Sequence, residues 1–356
     1  MNFFKHNWWK YLGAILLLYT VTAGLLVPLN PGIQELSSTR LIAGQNVNLT
    51  ISGYNTFFTT QDHRAFIRLS EDQHIEAYNI SVSDDQLIQA DFRIPSEIEN
   101  EVEDVTLIVS NEATYFIYPN MTIVKREVGS DINALNQNPS VWSTQELELP
   151  DKSWKFRFPN RVILVETIRN TFFHVAIWMS QFVLLAIALW YSIQYLRTSE
   201  IKYDHWASSF TFISLVYGVI GIATGSVWAR FTWGAFWAND VKLNMAAISV
   251  MIYLAYAILR SSIDDHDKRA RTSAIYNIFA FSAMIPLIMI IPRLTDSLHP
   301  GNGGNPAFGT DDMDNTLRMV FYPAIIALIL IGGWYAQILI RSKNIEEKLI
   351  NRGLND

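Results

Sequence analysis

Six apolar runs constrain the fold of this chain more than any other feature of its sequence. A helix needs about 20 predominantly apolar residues to cross the hydrocarbon core of a bilayer, and each run is close to that length. Half of the 356 residues are hydrophobic and only 17% are charged. The sequence therefore predicts an α-helical membrane protein with six transmembrane helices. The runs cover about residues 9–29, 171–195, 206–225, 243–260, 272–292 and 317–340.

Basic residues predict the orientation of these helices, because short cytoplasmic loops carry an excess of Lys and Arg. Such residues flank the first run at Lys5 and Lys10, fill the segment DDHDKRARTS and recur in the C-terminal tail. All of them fall on one side of a six-helix arrangement, so we expect both termini to be cytoplasmic. The first run lacks a small-residue cleavage pattern, which predicts an uncleaved helix; a cleaved signal peptide is the alternative.

The segment between the first and second runs has a different pattern. It contains alternating runs such as NVNLTISGY, AFIRL, QADFRI and VTLIVS, separated by turn clusters, and short strands at such spacing predict an all-β, immunoglobulin-like sandwich on the outer side. We expect His63 and His74 to be surface residues of this domain. The predicted division is 1–31 for the first helix, 32–160 for the β-insertion, 161–345 for a five-helix membrane domain and 346–356 for a cytoplasmic tail.

The composition excludes several classes of function. The chain contains no cysteine, which rules out disulfides, zinc–cysteine sites, iron–sulfur clusters and covalent c-type haem attachment to this chain. Its formal net charge is −6, and no basic stripe appears, which argues against a nucleic-acid partner.

The segment WARFTWGAFWANDVKLN carries an unusual density of aromatic rings between two apolar runs. Treated as helical, it places Trp233, Trp237 and Asp240 on one face, with Trp228 a little over one turn earlier. The rings form either an aromatic belt at the membrane interface or a stacking platform for a planar apolar ligand. The neighbouring charges of Asp240 and Lys242 favour the platform, because they can bind polar groups of such a ligand.

Two histidines lie at the same predicted outer level as this segment. His174 is near the outer start of the second span, and His299 is in the last outer loop. Histidine is a regular axial ligand of haem iron, and haem is a flat apolar molecule with two anionic propionates. Arg169 is placed to pair with one propionate; its alternative role is that of a juxtamembrane anchor.

The chain also resembles a known family. TGSVWARFTWGAFWANDVKLN resembles the tryptophan-rich "WWD" segment of the haem-handling proteins of cytochrome c biogenesis, and within them the chain is most similar to the CcmC type. RNTFFHVAIW and SLHPG resemble the segments around the family's two external histidines. The similarity covers the first span and about residues 165–340.

This resemblance implies a specific site and function. His174 and His299 would be the axial ligands of a non-covalent haem b at the periplasmic face of the bacterial inner membrane, and Arg169 matches a family arginine. The function would be haem delivery in the System I apparatus, without conventional enzyme activity. The implied partners are a periplasmic haem chaperone of the CcmE type, ABC transporter subunits of the CcmA and CcmB types, a small CcmD-type membrane protein, and membrane lipid. The residues implied for the haem platform are Trp228, Trp233, Trp237, Asp240 and Lys242.

The sequence departs from the family pattern in four places. Phe236 and Asn239 stand where the family usually has tryptophan, Lys242 stands where it often has arginine, and the β-insertion replaces a short loop. Three alternatives remain open. One is a haem lyase or export subunit of the CcmF or CcsA type, although those are typically larger and carry further histidines inside the membrane. The others are a membrane-anchored interaction protein whose β-domain is the functional part, and a small-molecule permease.

Overall fold

The computed structural model describes residues 2–125, 141–150, 156–161, 164–299 and 313–353. Parts of the predicted β-insertion (126–140 and 151–155) and of the last predicted outer loop (300–312) lie outside the described residues. The chain forms two compact units, one made of Met1–Val27 with Glu166–Asp356 and the other of Pro28–Val165.

Helices make up the first unit. Six of the described helical segments are long and apolar enough to cross a membrane, which confirms the number predicted from the apolar runs. A 3₁₀ segment, Val165–Phe172, leads into α2, and a π-helical turn, Pro286–Ile290, joins α5 to α6. The helices are α1 (Asn2–Leu26), α2 (His174–Thr198), α3 (Ile201–Trp233), α4 (Val241–Ser261), α5 (His266–Ile285), α6 (Ile291–Leu294) and α7 (Asn315–Gly353).

Local sequence signals set several helix ends. Gly234 ends α3 with a left-handed backbone (φ 79°), a conformation that glycine adopts without steric cost. Asp240 begins α4 by accepting hydrogen bonds from the backbone N–H groups of Lys242 and Leu243. Asp265 begins α5 in the same way, as expected of a carboxylate at an N-cap. The two aspartates thereby satisfy N–H groups that a helix leaves without internal partners.

A buried ion pair joins α3 to α4 at the end of the bundle where α3 begins. Arg260 donates to both carboxylate oxygens of Asp204 over 2.7 and 2.6 Å, and only 4% of Asp204 is exposed. A paired geometry of this kind offsets the cost of burying both charges. It therefore links the two helices at a fixed relative position.

The second unit contains two β-sheets. One has the order β1-β3-β7-β6 and is antiparallel; the other has the order β2-β9-β8-β4-β5, in which only β2 and β9 run parallel. The strands are β1 (Gly32–Leu36), β2 (Arg40–Ile42), β3 (Asn46–Tyr54), β4 (Arg64–Ser70), β5 (Gln73–Glu76), β6 (Asn79–Val82), β7 (Leu87–Arg93), β8 (Val102–Ser110) and β9 (Tyr115–Val124).

Both sheets contribute to one hydrophobic core. Leu49 and Phe92 come from the first sheet, Ile67 and Leu107 from the second, and all four are fully buried. Alternate residues along each strand point to opposite faces, so the alternating runs of the sequence supply one apolar face per sheet. The predicted separate β-region is confirmed.

The expectation that His63 and His74 lie at the surface is wrong, since each is only 8% exposed. The His63 ring packs edge-on against Phe58, with centroids 5.1 Å apart, and His74 packs in the same manner against Phe66 at 5.7 Å. An imidazole has an apolar body as well as a polar tip. Both rings therefore join the aromatic packing of this unit.

Candidate functional site

A cavity of about 220 Å³ lies within the helical unit, lined by α2, α3, α4 and the segment from α5 to His299. Four of the eight residues predicted for the site line it: His174, His299, Trp237 and Lys242. The two histidines thus line the same cavity although they are 125 positions apart in the sequence. The other lining side chains are mostly apolar and include Met179, Phe182, Leu243, Met284, Ile288 and Met289.

Three glycines of α3 position His174. The side chains of His174, Trp178 and Gln181 follow one another along one face of α2, at the spacing of neighbouring turns. An added Cβ on Gly225 would lie 2.5 Å from the His174 ring, and one on Gly221 would lie 2.7 Å from the Trp178 ring. One on Gly218 would similarly lie 2.7 Å from the amide of Gln181. Small residues let membrane helices approach closely, so these glycines let α3 pack against the face of α2 that carries His174, and Gly225 is the one that contacts the imidazole.

His174, the first residue of α2, has hydrogen-bond partners on α3. Its Nδ1 lies 3.1 Å from the hydroxyl oxygen of Thr224. The backbone carbonyl of Gly221 also accepts a hydrogen bond from the His174 ring. Because Nδ1 is occupied, Nε2 is the ring nitrogen of His174 that remains for a ligand.

Asp240 is the corresponding hydrogen-bond partner of Nδ1 of His299. Oδ1 of Asp240 lies 3.1 Å from Nδ1 of His299, and Oδ2 accepts a 2.7 Å hydrogen bond from the backbone N–H of Leu298. Asp240 is 3% exposed and also caps α4. One carboxylate thus joins the start of α4 to the segment that carries the second histidine, and again leaves Nε2 of the imidazole for a ligand.

The charges at this pair follow from its surroundings. Burial raises the pKa of Asp240, but hydrogen bonds from Ser297 and Leu298, joined by the charge of His299 when that ring is protonated, outweigh burial and hold that pKa below its usual value. Burial lowers the pKa of His299, and the Asp240 carboxylate offsets this only in part. The result is an anionic Asp240 beside a neutral His299, and a neutral imidazole is the form that binds a metal.

Two of the predicted tryptophans pack around His299 and do not line the cavity. The ring centroids of Trp233 and His299 are 4.7 Å apart at 73°, and those of Trp228 and His299 are 5.5 Å apart. The two indoles contact each other edge to face at 4.8 Å. Their packing restricts the orientation of the His299 ring.

The expectation of one continuous helical face from Trp233 to Asp240 is wrong. Helix α3 ends at Trp233, Gly234 turns the chain, and Asp240 begins the next helix. Trp237 lies in the intervening bends, where its indole N–H donates to the side-chain oxygen of Asn244 at 3.3 Å. Of the three predicted platform tryptophans, Trp237 is the one that lines the cavity.

The structure does not bring Arg169 to the cavity. Its guanidinium donates to the backbone carbonyls of Gly24 and Val27 at 2.9 and 2.7 Å and pairs with Glu166. These carbonyls belong to the C-terminal end of α1, where cations are favourable. Arg169 thus ties the segment before α2 to the end of α1; its predicted contact with a propionate stays a prediction.

The cavity has features that a bis-histidine haem would need. The imidazoles of His174 and His299 can each bind a metal in their neutral form. Nδ1 of each ring contacts a polar partner, which is the usual arrangement around metal-ligating histidines. The walls are apolar and aromatic, as suits a porphyrin. The volume lies below the roughly 300–1,000 Å³ of pockets that enclose a ligand. A ligand as large as haem would therefore keep an edge outside the cavity.

Sequence reasoning missed several lining residues. Trp178 and Gln181 follow His174 at positions i+4 and i+7, so helical spacing alone would have placed them on the histidine face. Thr224 opens the tryptophan-rich segment, but nothing in the sequence pairs it with His174. The three cavity-lining methionines carry no sequence signal beyond their apolar surroundings.

Comparison with known proteins identifies the family. The sequence profile of the CcmC family, described as "Heme exporter protein C", matches residues 153–353, which is more than half of the chain. The chain belongs to this family. The similarity that the sequence motifs indicated is thereby confirmed.

Relatives with assigned names agree with this membership. The chain is 28% identical over 136 residues to Heme exporter protein C of Bradyrhizobium diazoefficiens, covering 37% of this chain and 50% of that protein. It is 34% identical over 79 residues to the cytochrome c biogenesis protein CcsA of Pelargonium hortorum (22% and 25%). It is 33% identical over 102 residues to protein NrfI of Wolinella succinogenes (28% and 11%). The chain thus spans half the length or less of these relatives.

Proposed function

We propose that this protein is a haem-handling protein of cytochrome c maturation that binds haem b non-covalently between His174 and His299. One observation carries the proposal: both imidazoles line one cavity, each with Nδ1 held by a polar partner and Nε2 left for iron. The family's description and the names of its relatives support the choice of haem as the ligand.

The chain's own residues divide the work of binding. Nε2 of each histidine supplies a lone pair to one face of the iron. Trp237 and the apolar side chains of the cavity contact the ring, and the ammonium group of Lys242 is placed to bind a propionate. Trp228, Trp233 and Asp240 act on haem through His299, whose position and tautomer they fix. No bond of haem other than those to iron changes, so we do not propose an enzymatic reaction.

The proposed site lies at the periplasmic face of a bacterial inner membrane. The basic segments that predict the cytoplasmic side are all at the opposite ends of the spans, so both termini would be cytoplasmic and the β-unit periplasmic. The sheet orders β1-β3-β7-β6 and β2-β9-β8-β4-β5 support an immunoglobulin-like sandwich for that unit, because they match the four- and three-stranded sheets of that fold with an extra strand, β2 and β5, at each edge of the second sheet.

Delivery rather than storage is the proposed role. A cavity smaller than the ligand leaves a haem edge accessible, and two histidine ligands exchange more readily than a covalent attachment. A periplasmic chaperone of the CcmE type would take up the haem. Subunits of the CcmA and CcmB types and a small CcmD-type protein would assist its release, as the family's description as an exporter suggests.

The visible absorption spectrum of the detergent-purified chain tests the haem site. The wild type should give the spectrum of a low-spin b-type haem, and His174→Ala and His299→Ala should each weaken or convert it. A wild type that stays colourless after haem is added would refute the proposal and reduce the tryptophans to an interfacial belt.

A haem lyase or export role of the CcsA type is the second candidate, supported by the similarity to CcsA over 79 residues. Within the described spans, no histidine lies at mid-length, which favours delivery: His174 and His266 begin their helices, and His205 is the fifth residue of α3. Mixing the haem-loaded protein with either a chaperone or an apocytochrome separates the roles. Haem transfer to the chaperone alone indicates delivery, whereas thioether formation on the apocytochrome indicates a lyase.

A further inference from the structure

The two histidines are held by chemically different partners. Behind His174 stand two neutral groups, the hydroxyl of Thr224 and the backbone carbonyl of Gly221, and behind His299 stands the buried carboxylate of Asp240. The partner on Nδ1 of a metal-bound histidine fixes its tautomer and modifies its basicity. The two ring nitrogens offered to the cavity are therefore unequal.

We infer that Thr224 is the positioning residue of His174, and that His174 is the weaker, exchangeable ligand of an unequal pair in which His299 binds iron more strongly. This inference rests on the proposed function, because it assigns different tasks to the two histidines of the same site.

The hydrogen bonds of Thr224 determine the tautomer of His174. A threonine hydroxyl has one proton; Oγ1 lies 2.9 Å from the carbonyl oxygen of Ile220 and 3.1 Å from that of Gly221, and we infer that the proton is donated to one of them. Toward His174 the hydroxyl can then only accept. Neutral His174 must carry its proton on Nδ1, which leaves the lone pair on Nε2.

The same reasoning gives His299 a stronger bond to iron. A carboxylate cannot donate when ionised, so Nδ1 of His299 also carries the proton. Hydrogen bonds to a charged acceptor are roughly twice as strong as those between neutral groups. The Asp240 carboxylate therefore pulls more strongly on the Nδ1 proton than the Thr224 hydroxyl does, and this makes Nε2 of His299 the more electron-rich donor.

The two histidines also differ in how tightly they are packed. His174 begins α2, and its ring is pressed against Gly225 of α3, so it cannot follow a departing ligand. His299 lies in non-helical chain beyond α6. In the exchange we propose, the bond between iron and Nε2 of His174 breaks, and a lone pair of the acceptor's ligand forms the new bond. No electron is transferred and no proton leaves either histidine.

The first test examines Thr224 without haem. The full chain is labelled with ¹⁵N-histidine, and the ring nitrogens are observed by NMR, with His174 assigned from a His174→Gln variant. Wild type and Thr224→Ser should show His174 as the Nδ1–H tautomer alone, whereas Thr224→Val, which keeps the shape but leaves only the Gly221 carbonyl as an acceptor, should show a measurable share of the Nε2–H tautomer. A Thr224→Val spectrum identical to wild type would overturn the role of Thr224.

The second test measures the inequality. Haem is loaded into His174→Ala and His299→Ala, and its loss to excess apomyoglobin is followed in the Soret band, with tryptophan fluorescence as a check of folding. His299→Ala should lose haem about 10-fold faster than His174→Ala, in the range of effects typical of outer-shell partners. Equal rates, or faster loss from His174→Ala, would overturn the inequality. A wild type that binds no haem would instead refute the proposed function, while the NMR result on Thr224 still stands.

Discussion

Replacing Gly225 with Ala should displace His174 and weaken haem binding while the bundle still folds. The new Cβ would lie 2.5 Å from Cε1 of His174, 3.1 Å from Nδ1 and 3.2 Å from Nε2. Carbon atoms in contact prefer about 3.5–4.0 Å, so the ring must move by about 1 Å. A movement of that size can take Nδ1 from 3.1 Å to nearly 4 Å from the Thr224 hydroxyl, beyond the reach of a hydrogen bond.

The expected effect on stability is small because two terms oppose each other. Forcing an extra methyl into a packed interior costs about 1–3 kcal/mol. Alanine is favoured over glycine within a helix by about 1 kcal/mol. The net loss should be at most about 2 kcal/mol. Loss of a histidine's outer partner typically lowers metal affinity about 10–100-fold, so haem binding should suffer far more than folding.

Haem titration and thermal unfolding, run side by side, test this reasoning. Gly333→Ala is the matched control, because it makes the same change in α7 where an added Cβ meets nothing within 4 Å. The control should bind haem as the wild type does and unfold at the same or a higher temperature. If Gly225→Ala binds haem as tightly as Gly333→Ala, the close approach of His174 to α3 does not position the ligand.

Four other changes test separate parts of the molecule. Asp240→Asn should raise the haem-loss rate of an otherwise wild-type chain. Combined with His174→Ala or His299→Ala, it should reduce the difference between the haem-loss rates of those two variants; unchanged rates would exclude a role for the carboxylate. Deleting residues 35–155 should lower haem transfer to a periplasmic chaperone but leave the haem spectrum intact, because we expect the β-unit to dock the chaperone; unchanged transfer would end that idea. Burial lowers the pKa of His63. The stability of the β-unit should therefore fall as the pH drops below about 6.5, where the unfolded chain binds the proton first. The unfolding temperatures at pH 7 and pH 5 should differ in the wild type and should be closer together in His63→Gln. Asp204→Asn should destabilise the helical unit by about 3–5 kcal/mol because Arg260 is left buried without its partner; an unfolding midpoint equal to wild type would contradict this.

The sequence predicted the large features of the helical unit well. The number of spans followed from hydrophobicity alone, because length and apolar composition are sufficient to identify a transmembrane helix. Counting spans also placed His174 and His299 at the same end of the bundle, and both line one cavity. The proximity of these two distant residues could be predicted because transmembrane helices run in only two directions, so counting spans assigns each helix end to one side of the membrane.

The path of the chain through the tryptophan-rich segment could have been predicted better. Gly234 after an apolar helix is a typical stop signal, and Asp240 before VKLN is a typical start signal. Helical spacing applied across both signals placed Trp233, Trp237 and Asp240 on one helical face, whereas Trp237 lies in non-helical chain between α3 and α4. The partners of His174 could not be predicted from the sequence, because the contact with Thr224 depends on how α2 and α3 pack. The burial of His63 and His74 likewise depends on aromatic packing within the folded β-unit, which strand alternation does not reveal.

The contact of Arg169 with the end of α1 bears on how the β-unit is inserted into the chain. The guanidinium holds together two points of the helical unit, Val27 and Arg169, that are 142 positions apart in sequence. Within the β-unit, Asn30 and Phe158 are likewise joined, through a 2.7 Å backbone hydrogen bond. Each unit therefore presents the two ends of its chain side by side, the arrangement in which domain insertions are tolerated. A gene could gain or lose the whole β-unit at this junction while the helices, and the histidines they carry, keep their places.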